Sequence, residues 1–135
     1  SDSKPASGAE GYFRERLDAP GAKAMAHLKN LILSHSYFDR VNDQSAIVGD
    51  DGERYDRVMV TKGNDYMMAY TYTGREFTVQ LGRVAGRKVE ASWFNPRTGE
   101  FTKIETVKNE GVRSFNPPGE KKNGIDWVLH LKGIQ

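Results

Sequence analysis

The residues able to do acid–base, metal or nucleophilic chemistry are scattered along this chain rather than grouped. A glycosidase needs two carboxyl groups across a sugar bond, one as acid and one as nucleophile or base. Asp and Glu number 18, but most fall in turns (Asp50, Asp51, Glu53, Glu110, Glu120) or on polar strand positions (Glu90, Glu105). They read as solvated surface charges, and no catalytic pair stands out. His27 and His35 are eight residues apart, too far for a two-histidine metal pair at one-turn spacing. His130, between Leu129 and Leu131, has the outward parity of a strand, so all three histidines read as surface or interface residues. Asp50-Asp51-Gly52-Glu53 with Asp56 lacks the regular spacing and distal glutamate of a calcium loop and reads as an acidic hairpin turn. No serine sits in a Gly-x-Ser-x-Gly elbow, and the Gly82–Gly86 turn opens no helix that could cradle phosphate. There is no cysteine, hence no thiolate chemistry and no cysteine-ligated zinc. No catalytic, metal or cofactor-binding residue is therefore expected.

Composition narrows the class. At 135 residues, with 37% hydrophobic and 28% charged, the chain suits one polar globular domain. A net charge of +2, with Lys and Arg spread along the chain, argues against nucleic acid as a partner. No stretch approaches the roughly 20 apolar residues that cross a bilayer. The segment 1–17 reads as a flexible connection without the apolar core of a signal peptide, so a signal for an exported protein is expected upstream.

One helix is expected, from about residue 19 to 34. Asp18 suits the N-cap and Pro20 the first turn. Ala22, Met25, Leu28, Leu31 and Ile32 then recur at three- and four-residue steps as one apolar stripe. From Ala46 onward the period changes to 2. Val58/Val60, Tyr66/Met68/Tyr70, Phe77/Val79, Val89/Ala91/Trp93, Thr102/Ile104 and Trp127/Leu129/Leu131 each mark a strand, with a short one at Val112 and Phe115. Glycine-containing turns such as Asp51-Gly52, Thr73-Gly74 and Asn123-Gly124 separate them. The expected fold class is mainly β: an antiparallel two-sheet β-sandwich of seven or eight strands with one N-terminal amphipathic helix.

The aromatic residues are numerous for a small sandwich, and they include Tyr37, Phe38, Trp93, Phe94 and Trp127. Trp127 alternates with leucines and is expected in the core. Trp93 and Phe94 are adjacent and so face opposite sides of a strand, one buried and the other partly exposed. The exposed one would serve a contact with a neighbouring domain in preference to a sugar ring.

Longer runs carry a family resemblance. Leu17-Asp18-Ala19-Pro20-Gly21-Ala22, Leu28 to Ser34, Tyr37-Phe38-Asp39-Arg40 and Asp43-Gln44-Ser45 resemble the barrel-to-sandwich junction of apiosidase-like glycoside hydrolases. Trp93-Phe94-Asn95-Pro96-Arg97-Thr98-Gly99, Phe115-Asn116-Pro117-Pro118-Gly119 and Asp126-Trp127-Val128-Leu129 are similar to the small C-terminal domain catalogued as a collagen-binding domain of a collagenase. Asn42 departs from the proline expected before Asp43-Gln44 and implies a less rigid junction.

The resemblance implies an accessory domain that is not itself an enzyme. It would pack on and stabilise an N-terminal (β/α)8 barrel bearing the catalytic carboxylates. The helix and junction would then occupy 18–44 and the sandwich 45–135, in a bacterial protein that is exported to the periplasm, the cell surface or the medium. The alternative is a binding module for polysaccharide or collagen-like protein. Candidate interface or ligand contacts are Tyr37, Phe38, Arg40, Trp93, Phe94 and Arg97. Arg97, in the turn that Pro96 and Gly99 make, either reaches a carboxylate of the barrel or is a solvated turn residue.

Overall fold

The computed structural model describes residues 26–35 and 40–135. Helix α1 (Ala26–Leu33) is followed by nine strands among the described residues: β1 (Val41–Asn42), β2 (Ile47–Val48), β3 (Val58–Lys62), β4 (Tyr66–Thr71), β5 (Phe77–Gln80), β6 (Lys88–Asn95), β7 (Glu100–Lys108), β8 (Val112–Phe115) and β9 (Trp127–Ile134). All pairings are antiparallel, in a large sheet ordered β1-β3-β4-β9-β6-β7 and a small one ordered β2-β5-β8. The fold is the mainly-β, two-sheet arrangement that the period-2 pattern predicts. The strands beyond the expected count are β1 and β2, each of two residues, too short to display a period. Asp18, Pro20, Ala22 and Met25, which would begin the helix, lie outside the described residues.

The large sheet has two covered faces. Val58, Val60, Met67, Ala69, Leu129, Val89 and Trp93 point toward the small sheet and interlock with its Phe77, Val79 and Phe115. On the other face Met59, Tyr66, Met68, Tyr70, Phe94 and Val128 pack beneath Leu28, Leu31 and Ile32 of α1. Every residue of β4 is consequently buried. A strand covered on one side only would alternate; this one lies between two layers.

The runs that carry the family resemblance are structural stitches. Asp43 accepts hydrogen bonds from Arg83 (2.9 and 3.0 Å) and an ion pair from Lys62 (3.1 Å). Burial alone would raise its pKa, but the hydrogen bonds from Ser45, Lys62 and Arg83 prevail and hold the carboxyl below its usual range. Gln44 donates to Asp51 (2.8 Å) and to the Val58 carbonyl, while its own oxygen accepts from the Val60 amide (3.2 Å). In the β6–β7 turn, Gly99 takes φ +80° and its amide donates to the Asn95 carbonyl (2.7 Å). The ring of His27 lies so close that a Cβ on Gly99 would sit 2.6 Å from Nδ1. The turn is thereby fitted against α1.

Candidate functional site

The structure does not bring the sequence-derived candidates into one site. Tyr37 and Phe38 lie outside the described residues. Arg40 donates to the Ile32 carbonyl at 2.7 Å and so satisfies an end of α1. Trp93 and Phe94 are both buried, at 5% and 4% exposure. The expectation that one of them would be exposed is thus corrected. Adjacent strand residues do face opposite sides, but here each side carries a layer. Trp93 stands edge-on to Phe77, Phe115 and Trp127, with centroids 6.0, 6.5 and 6.2 Å away. Trp127, expected in the core, is only half-buried at its margin.

Arg97 turns inward. Its guanidinium lies 5.1 Å from the centroid of the Trp127 ring, donates to the Asp126 carbonyl (3.1 Å) and pairs with the Asp126 carboxylate (3.4 Å). That carboxylate is buried and also accepts from the Tyr70 hydroxyl at 2.9 Å. Arg97 is therefore a surface brace, with its side chain 35% exposed, over the buried Asp126. Arg97→Ala is expected to destabilise the chain by about 1–2 kcal/mol, and Arg97→Lys to recover little of it, because an ammonium cannot fork and stack in that way. Urea denaturation decides the point. A loss below about 0.5 kcal/mol would return Arg97 to the solvated-turn reading.

The acidic loop is likewise occupied by its own neighbours. Asp56 accepts from Thr73 (2.9 Å) and pairs with Lys121 (3.1 Å) and Arg75 (3.6 Å). Glu90 and Glu105 pair with Lys103 and Arg113. Among the described residues no group of three or more His, Asp or Glu side chains is placed to hold a metal ion.

A different site emerges between α1 and the sheet: a groove of about 510 Å³ lined by all three histidines, together with Phe94, Phe101 and Lys132. His130 does not face solvent. It shares a face with Val128 and pairs across the ladder with the buried Met68 and with Ser92. The outward-parity reading of His130 is corrected for the same reason that Trp93 and Phe94 are both buried: α1 covers the second face of the large sheet. The Nε2 atoms of His35 and His130 are 3.0 Å apart. His35 stacks on Tyr66, with centroids 3.6 Å apart and planes at 13°. Phe101 meets His130 edge-on at 5.6 Å and tilts against Phe94 at 4.8 Å. Five rings from α1's end and four strands thus run in one continuous contact.

Burial, chiefly, lowers the pKa of both histidines. For His130, burial plus the neighbouring His35 and Lys132 bring it to about 4; for His35, Lys132 and Arg40 add to burial and Asp65 opposes them. The sequence signal that could have revealed this site is the apolar character of both parities of β4, which already requires a layer on each side.

The profile of a family described as "Putative collagen-binding domain of a collagenase" matches residues 41–132. The chain belongs to this family. Among solved structures, a glycoside hydrolase is similar over 89% of this chain at 41% identity and TM-score 0.78, and the chain spans 27% of it. A glycoside hydrolase family 5 protein from Bacteroides vulgatus ATCC 8482 is similar at 38% identity and TM-score 0.78, over 89% of this chain and 26% of its own. No curated protein matches. The family's fold thus accounts for about a quarter of each of these hydrolases, the share of an accessory domain.

Proposed function

We propose that the domain is the non-catalytic C-terminal accessory part of a secreted glycoside hydrolase, where it packs on and stabilises a catalytic (β/α)8 barrel. The observation that carries this reading is the coverage: 89% of this chain aligns with glycoside hydrolases of which it spans only 27% and 26%, at 41% and 38% identity. The distribution of exposed apolar side chains supports the same reading. Leu33 (63% exposed) lies on α1, Phe101 (53%) borders its groove, and Tyr55 (59%) packs 5.7 Å from Tyr72 at the margin of the core beneath α1. By contrast, the outer face of the small sheet offers Thr78 hydrogen-bonded to Ser114 (2.7 Å), flanked by Val48 and Val112. Exposed apolar side chains on and beside the helix suit a domain contact, although Val41, on β1, is also exposed, at 54%.

Calorimetry of the full polypeptide tests this. Barrel and sandwich are expected to unfold in one transition. The double change Leu33→Lys with Tyr55→Lys is expected to split it or lower it by several degrees, while changing this chain alone by less than about 0.5 kcal/mol. Two independent transitions in the unmodified polypeptide would sink the stabilising role. A second reading, a binding module for polysaccharide or collagen-like protein, draws on the groove with Phe101 at its mouth. Saturable binding of either ligand, lost on Phe101→Ala with folding intact, would put that reading first.

A further inference from the structure

The two Nε2 atoms of His35 and His130 use each other. Their separation is 3.0 Å while the ring centroids are 5.2 Å apart and the planes differ by 21°. The difference between the two separations is nearly two ring radii, so the nitrogens point head to head and leave no room for an ion or a water between them. Such an N–H···N bond requires an N–H on one ring and a lone pair on the other. A first added proton goes to the Nδ1 of the donor ring and keeps the bond. A second must go to the accepting Nε2, and then two N–H groups on two cations face each other.

We propose that this pair is a proton-operated latch that fastens the C-terminal end of α1 to the centre of the large sheet. His35 lies two residues beyond the end of α1, and His130 lies on β9, between β4 and β6. Three features set the latch toward its closed, at most singly protonated state. His35 is sandwiched onto Tyr66, and His130 is covered by Phe101. Lys132, on the same strand as His130, and Arg40, which binds the end of α1, both repel added charge. The carboxylates that would attract it are already engaged: Asp65 pairs with Lys132 (2.7 Å) and Glu90 with Lys103 (3.4 Å).

The direction of the effect follows from linkage. Both rings bind a proton less readily when docked than when free, His130 with its pKa at about 4 rather than 6.5. The contribution is therefore complete above 6.5 and is lost as the pH falls toward 4. Because the rings are coupled, the two steps belong to the pair rather than to either residue.

Amide hydrogen exchange of α1, corrected for intrinsic rates and followed from pH 7 to pH 4.5, reads the latch. The wild-type chain is expected to lose protection in α1 by roughly 50-fold. His35→Gln and His130→Gln, whose amides can still bridge but cannot titrate, are expected to flatten that profile. His35→Gln is the safer variant, because His35 is the less enclosed of the two. An unchanged pH profile in His35→Gln would overturn the proposal. So would side-chain nitrogen spectra in which His35 and His130 titrate independently near the value of free histidine.

Discussion

Replacing Trp93 with alanine is expected to remove about 3–5 kcal/mol, a large part of the roughly 5–15 kcal/mol that holds a domain folded. Trp93 sits in β6 between Leu129 of β9 and Thr102 of β7, and its ring projects into the space between the sheets. Edge-to-face contacts with Phe77 and Phe115 join it to the small sheet, and a third with Trp127 joins it to β9. Each such contact is worth on the order of 1 kcal/mol beyond the area it buries. Truncation would leave a cavity that two rigid sheets cannot collapse to fill. Urea denaturation followed by circular dichroism measures the loss, and Trp93→Phe is expected to recover about half of it. A loss below about 1 kcal/mol would mean that the sheets are not joined through this ring. The same reasoning makes Trp93→Ala a poor probe of ligand binding, since it would abolish any activity by unfolding.

Gly133→Ala is expected to be nearly as damaging, although it adds a single methyl group. The new Cβ would lie 1.7 Å from the Ala85 carbonyl oxygen and 3.3 Å from that of Asp65. Both obstacles are backbone atoms, and both are tied down. The Gly133 amide donates to the Asp65 carbonyl at 2.7 Å, and the Ala85 amide to that of Asn64 at 2.8 Å. Gly86 presses on the same spot from the neighbouring turn, where its own Cβ would meet the Ile134 nitrogen at 2.7 Å. With no flexible side chain to move aside, the end of β9 must separate from both turns. That costs about 3 kcal/mol and lowers the melting temperature by roughly 10 °C. Gly111→Ala is the control: its φ is +76° but nothing lies within 4 Å of the added Cβ. It should lose only the roughly 1–2 kcal/mol of left-handed strain. If thermal unfolding ranks Gly133→Ala no worse than Gly111→Ala, the close approach at β9 does not exist in solution.

Much of this was legible in the chain itself. Period-2 runs at Val58/Val60, Val89/Ala91/Trp93 and Leu129/Leu131, separated by glycine turns, determined a sandwich, because alternation and turn chemistry are properties of a few consecutive residues. The stripe Leu28, Leu31, Ile32 likewise determined a helix with one buried face, and these three residues are the ones α1 buries. The long motifs located the family for the same reason.

What no local pattern contains is the identity of the layer that covers a given face. Parity assigns His130 to solvent and one of Trp93 and Phe94 to partial exposure, and it is α1, laid across the large sheet, that buries Phe94 and half-buries His130. Arg97 reads as a turn cation until the chain brings Asp126 beside it, 29 residues later. His35 and His130 are 95 residues apart and share one hydrogen bond. Secondary structure is written in periods of two to four residues, whereas a site of this kind is written in contacts between elements that only the closed fold places together.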